Sequence, residues 1–146
     1  MAGISPSFLS VSSADADYVK PEDRARQRID EMLARAGWVL QDYKHVNLYA
    51  GVGVAVRELV TAAGPADYML FVNRQPVGVI EAKKQGTTLA GVEWQTLKYQ
   101  ANVPDELPAV KTATGHLPFG YESTGDETWF TCRFDPAPTA RRVFWF

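Results

Sequence analysis

Cysteine is almost missing from these 146 residues: Cys132 stands alone. An internal disulfide is therefore excluded, and so is a zinc site built on a cysteine cluster. The two histidines, His45 and His116, lie far from other soft ligands, and each reads as a structural side chain rather than a metal ligand. No apolar run approaches the length of a membrane-spanning helix, and the first residues lack the basic head and apolar stretch of a secretory signal. The expected compartment is the cytoplasm, with no membrane partner. Excess charge is missing as well. Fifteen Lys and Arg face 17 Asp and Glu, a net charge of −2, which is not the footprint of a tight stand-alone nucleic-acid binder. There is no internal repeat, no low-complexity tract and no G-x-x-x-x-G-K-[ST] phosphate loop.

What remains is the composition of a folded domain, 46% hydrophobic and 22% charged, and the length fits one core. Residues 1–20, rich in Ser, Ala and Asp, read as an N-terminal arm, and 21–146 as a single α/β domain. Pro21, Glu22 and Asp23 suit a helix start, and Ile29, Met32, Leu33 and Ala36 form one apolar stripe that Gly37 can cap. Arg24, Arg28, Glu31 and Arg35 make its solvated face. A short strand or packed loop is expected at 38–40. A strand runs from Val52 to about Leu59, with Glu58 near its end, and a turn is expected over 61–65. A second helix is expected between Gly86 and Val103, with Thr88 or Gly91 as its cap. Val92, Gln95, Thr96, Tyr99 and Val103 lie along its inward stripe, and an inward glutamine needs hydrogen-bond partners. Short strands are expected at 110–114, 119–122, 128–134 and 143–146. The apolar end, Val143 to Phe146, is either a last strand or the edge against a further domain.

The chemistry concentrates between Ala66 and Lys84. Two apolar runs, 68–72 and 77–82, flank Asn73-Arg74-Gln75-Pro76, the pattern of a β-hairpin. Strand alternation puts Val77, Val79, Glu81 and Lys83 on one side and Gly78, Ile80, Ala82 and Lys84 on the other. Asp67 lies just ahead of the first run, in line with Met69 and Phe71. The hairpin can thus bring Asp67, Glu81 and Lys83 to one end of a sheet, with Glu58 as a third acid nearby. Two acids suit Mg²⁺, which takes few carboxylates and keeps several waters. A lysine beside them could orient the attacking water or balance developing charge. The competing explanation is a strand that simply ends in surface charges. For Gln95 and Tyr99 it is a satisfied core glutamine with a tyrosine packed beside it.

Over nearly its whole length the chain resembles the N-terminal nuclease domain of type I restriction endonuclease R subunits. The resemblance rests on R-E-L at 57–59, A-D-Y-M-L-F-V at 66–72 and G-V-I-E-A-K-K at 78–84. It continues through G-T-T-L at 86–89, Gln95-x-x-x-Tyr99 and Y-E-S-T-G at 121–125. The order D…E-x-K, then Q-x-x-x-Y, is similar to the RecB-type branch of the PD-(D/E)xK nucleases. The resemblance implies a restriction-endonuclease-like core, a central mixed sheet flanked by helices. It also implies Mg²⁺-dependent hydrolysis of double-stranded DNA, with Mn²⁺ as a substitute ion. Asp67, Glu81 and the backbone carbonyl of Ala82 would be metal ligands, and Lys83 would orient or activate water. Gln95 and Tyr99 would support the site from the helix, and a first-helix acid, Glu22 or Glu31, would complete it. The implied partners are a helicase motor in cis, which alone uses ATP, and the methyltransferase and specificity subunits. The chain would then be a fragment or N-terminal domain of a larger subunit, cutting without reading sequence. The alternative is a catalytically inactive nuclease-fold module that binds DNA or a partner protein; a purely structural domain would leave the acids far apart.

Overall fold

The computed structural model describes residues 18–107, 109 and 111–143. Residues 1–17 of the N-terminal arm, Pro108, Val110 and the last three residues of the apolar end lie outside them. Helix α1 spans Pro21–Arg35, with Pro21 in its first turn and Glu22 and Asp23 at the positive end of the dipole. It stops at Gly37 (φ +93°), as its sequence suggests. Gly37 N–H donates to the Ala34 carbonyl (3.1 Å) and Trp38 N–H to that of Leu33 (3.0 Å), the paired bonds of a left-handed glycine cap. Ala25, Ile29 and Leu33 form its buried stripe.

Seven strands follow in one mixed sheet, ordered as they occur in the chain. They are β1 (Val39–Asp42), β2 (Gly53–Thr61), β3 (Gly64–Val72), β4 (Gln75–Ala82), β5 (Phe119–Ser123), β6 (Thr128–Cys132) and β7 (Arg141–Val143). The β1–β2 and β4–β5 pairs are parallel and the others antiparallel. Helix α2 (Glu93–Ala101) lies in the β4–β5 crossover. The fold is therefore α/β, a mixed sheet flanked by helices, consistent with the restriction-endonuclease-like core expected. No helix among the described residues is long and apolar enough to cross a membrane.

The sheet separates two cores. Ile29 and Leu33 of α1 pack with Ala55, Tyr68, Leu70, Ile80 and Ala82 on one face. Tyr99 packs with Val54, Val56, Met69, Phe71, Val79, Val103 and Leu117 on the other. Each fully buried large side chain here contributes about 1.5–3 kcal/mol, so the β2–β3–β4 meander carries much of the stability.

Local geometry departs from the sequence reading in four places. The 73–76 turn is tighter than expected: Asn73 and Arg74 both have positive φ (48° and 69°), a two-residue hairpin loop, and β4 starts at Gln75. The register then shifts between Leu70 and Phe71, and the extra residue sends Val77 to the α1 side, away from Val79. Alternation resumes by Val79, so the expected grouping of Val77 with Val79 fails. Second, β2 runs on to Thr61 and turns at Ala62–Ala63, placing Gly64 and Pro65 in β3. The Thr61 hydroxyl closes this turn by donating to the Gly64 carbonyl (2.6 Å) and accepting from Ala63 N–H (3.1 Å). Third, the described part of the expected 110–114 strand is a turn. His116 N–H donates to the Thr112 hydroxyl (3.2 Å) and Gly115 N–H to the Thr112 carbonyl (2.9 Å), local bonds that compete with a ladder. Fourth, α2 has Val92 at its N-cap and no side-chain cap, so neither Thr88 nor Gly91 serves.

Candidate active site

A kink in β2 builds the site. Glu58 has φ +57°, where a side chain costs energy, and the β2–β3 ladder skips it between the Arg57–Tyr68 and Leu59–Ala66 pairs. The kink swaps faces. Ala66 and Tyr68, which alternation would put together, enter opposite cores, and Asp67 lies between them. Here β3 and β4 also part company, since their last pair is Tyr68–Ile80. Beyond it Asp67 Oδ2 takes over as partner of the Ala82 N–H, at 2.7 Å. The carboxylate thus substitutes for a ladder carbonyl and is pinned against β4.

Asp67 Oδ1 accepts from Arg26 Nη2, and Arg26 Nη1 donates to Glu58 Oε1 at 2.8 Å. One guanidinium therefore spans both acids. Burial works against its charge, but Asp67 and then Glu58 outweigh that and push its proton affinity further up. One turn along α1, Asp30 Oδ2 accepts from Arg57 Nη1 (2.9 Å). The wholly buried Tyr68 shares its hydroxyl between Asp30 Oδ1 (2.7 Å) and the Arg26 carbonyl (3.0 Å). Burial, and then the bond to Asp30, keep that phenol protonated well above its ordinary range. These side chains line an open cleft of about 380 Å³ between α1 and the β2–β3 end of the sheet.

Glu81 sits on the next strand. Its carboxyl is pushed up to about 7, first by burial and then by the charge of Asp67, against the opposing pull of Lys83 and Lys98. Lys83 Nζ lies 3.7 Å from Glu81 Oε1. The lysine's backbone is held by β5 through a Lys83 N–H to Ser123 carbonyl bond of 2.8 Å. Asp67, Glu81 and Lys83 thus occupy the end of one hairpin where its strands diverge. Among the described residues no three His, Cys, Asp or Glu side chains form a metal-holding group. The Asp67–Glu81 pair would need backbone and water oxygens to fill a coordination sphere.

On α2, Tyr99 is buried beneath Lys98, whose Nζ stands 4.7 Å from its ring centre. Gln95 is half-buried, and the fully buried amide on this helix is Gln100, which donates to the Leu117 carbonyl (3.0 Å). Glu22 and Glu31 are both exposed on α1, and the cleft is lined instead by Asp23, Arg26, Gln27 and Asp30 of that helix. Sequence reasoning gave Arg26 and Asp30 no part in the site. Extending the α1 stripe back one turn from Ile29 reaches Ala25, and Arg26 and Asp30 flank it at i and i+4. Glu122 was missed too; it is wholly buried in β5, and its signal was the run of small or apolar residues around an acid.

A family model described as the type I restriction enzyme EcoKI endonuclease subunit second domain matches residues 14–127, most of the chain. The chain belongs to this family. No curated protein and no solved structure matches it.

Proposed function

We propose that this domain is the DNA-cleaving module of a type I restriction enzyme, a metal-dependent endonuclease of PD-(D/E)xK type. The observation that carries the reading is Asp67 bonded to the Ala82 N–H at 2.7 Å, with the ionised form of Glu81 disfavoured by burial and by the neighbouring charge of Asp67. Like charges kept together in this way suit a cation between them. Asp67, Glu81 and the Ala82 carbonyl oxygen would hold Mg²⁺, or Mn²⁺ in its place, an all-oxygen set with few carboxylates as Mg²⁺ prefers. The carboxylate oxygens of Asp67 each keep a second lone pair beyond the bonds described. The ion supplies Lewis-acid activation of the phosphate and a more acidic water.

The chain's own groups do the rest. Lys83, anchored through β5, orients the attacking water and offsets negative charge growing on the phosphate. Gln95 and Tyr99 support the site from α2, and Glu22, one turn before Arg26, is the first-helix acid proposed for it over Glu31, although it is exposed and outside the residues that line the cleft. With a net charge of −2, the domain depends on tethering for its hold on double-stranded DNA. A helicase motor in cis, the sole user of ATP, feeds it duplex, and the specificity and methyltransferase subunits choose where. Such an assembly works in the cytoplasm. Mn²⁺ soaked into crystals should give density touching both Asp67 and Glu81. Carboxylates separated by much more than about 4–5 Å, the span of two ligands on one such ion, would contradict the site.

A further inference from the structure

We infer that Arg26 is a built-in counter-cation that occupies Asp67 and competes with the divalent ion for it. The inference rests on the metal reading above and goes beyond it by giving α1 a direct part in setting cation affinity. Three observations carry it. Arg26 forks between Glu58 Oε1 (2.8 Å) and Asp67 Oδ1, so the carboxylate proposed as ligand already holds a positive charge. Its position is built rather than adventitious: buried Tyr68 bonds the Arg26 carbonyl (3.0 Å) and Asp30, fixing this turn of α1 over β3. The Glu58 backbone is held at φ +57°, which puts a second acid opposite Asp67 for the other arm of the fork.

A guanidinium in contact with Asp67 weakens the field that would draw a divalent ion, and an incoming ion must share or displace that bond. Affinity for the ion should therefore be held down by Arg26. Without a divalent ion the same residue keeps Asp67 and Glu58 from repelling each other. The arrangement would leave the site quiet until cation and substrate arrive together.

The test is calorimetric titration of the chain with MnCl₂, comparing the unaltered protein with Arg26→Gln, Arg26→Lys and Asp67→Asn. Arg26→Gln should bind Mn²⁺ about tenfold more tightly, and Arg26→Lys, which keeps the charge, should stay near the unaltered protein. Thermal melting supplies a second readout if Arg26→Gln is poorly folded at rest. In EDTA its Tm should drop, and Mn²⁺ should raise it by more than it raises the unaltered protein. Equal or weaker Mn²⁺ binding by Arg26→Gln, with Asp67→Asn still weakening it, overturns this inference and leaves the metal reading standing. Mn²⁺ binding indifferent to Asp67→Asn overturns both.

Discussion

Glu81 and Glu122 stand side by side on neighbouring parallel strands, paired in register across β4 and β5. Glu81 keeps a side-chain exposure of 16%, whereas Glu122 is sealed at 0%. Burial pushes the Glu122 carboxyl up, partly opposed by Thr96. The Thr96 hydroxyl lies 2.9 Å from the Glu93 carbonyl and 2.7 Å from Glu122 Oε1, two acceptors for one hydrogen. A proton on Glu122, which its burial favours, would let the acid donate to Thr96 and free that hydrogen for Glu93. Of the two glutamates, Glu81 is the one whose carboxyl reaches solvent.

Glu122→Gln should therefore be tolerated, since an amide supplies a permanent donor in nearly the same shape. Its Tm at pH 8 should equal or exceed that of the unaltered chain. Glu122→Ala should cost about 2–4 kcal/mol through the cavity and the lost bond. Differential scanning calorimetry of both variants checks this, and a Glu122→Gln protein as damaged as Glu122→Ala would refute the neutral-acid account.

For Glu81 the prediction concerns pH. Its ordinary value is 4.5, and in the folded chain it titrates at about 7. Between these the folded state holds a proton that the unfolded chain has released, so this group makes stability fall as pH rises from about 4.5 to 7. Glu81→Gln should remove that slope and stabilise the chain above pH 7 by on the order of a few kcal/mol. Cation binding runs the other way, since a ligand must shed its proton first. Mn²⁺ affinity should rise about tenfold per pH unit up to 7 and level off above it. Titrations at pH 6, 7 and 8 measure this; a flat profile would remove Glu81 from the ligand set.

Two glycines set how closely the site's supports pack. A Cβ at Gly78 would lie 2.6 Å from the Phe119 carbonyl oxygen, a backbone atom of the paired strand. At Gly120 it would meet Gln100 Oε1 at 2.9 Å and Thr96 Oγ1 at 3.1 Å, side-chain atoms rather than backbone. Gly78→Ala should cost about 2–3 kcal/mol or more by prising β4 from β5, and Gly120→Ala about 1–2 kcal/mol. Urea denaturation of the two variants gives the order, and a larger loss at Gly120 would contradict it.

Much of this arrangement was legible in the sequence. Two apolar runs around a polar turn announced the hairpin that has Asp67 and Glu81 at its open end; Ile29 and Leu33 with Gly37 announced α1. Three things were not legible. The positive φ at Glu58 is a backbone event that no residue-type rule places at a glutamate. The forked contact of Arg26 with Glu58 and Asp67 joins residues 32 and 41 positions apart, a product of tertiary docking that local pattern does not encode. The bulge that moved Val77 was hidden for the same reason: four apolar or small residues in a row fit either face.

On the proposed function, Asp67, Glu81 and Lys83 cut DNA while movement along it belongs elsewhere. Its most direct test is Lys83→Ala in the assembled restriction enzyme, with plasmid cleavage and ATP-driven translocation measured side by side. Losing the water-orienting lysine should lower cleavage by about a hundredfold or more while translocation continues at its normal rate. A Lys83→Ala enzyme that still cleaves at the unaltered rate would contradict the site.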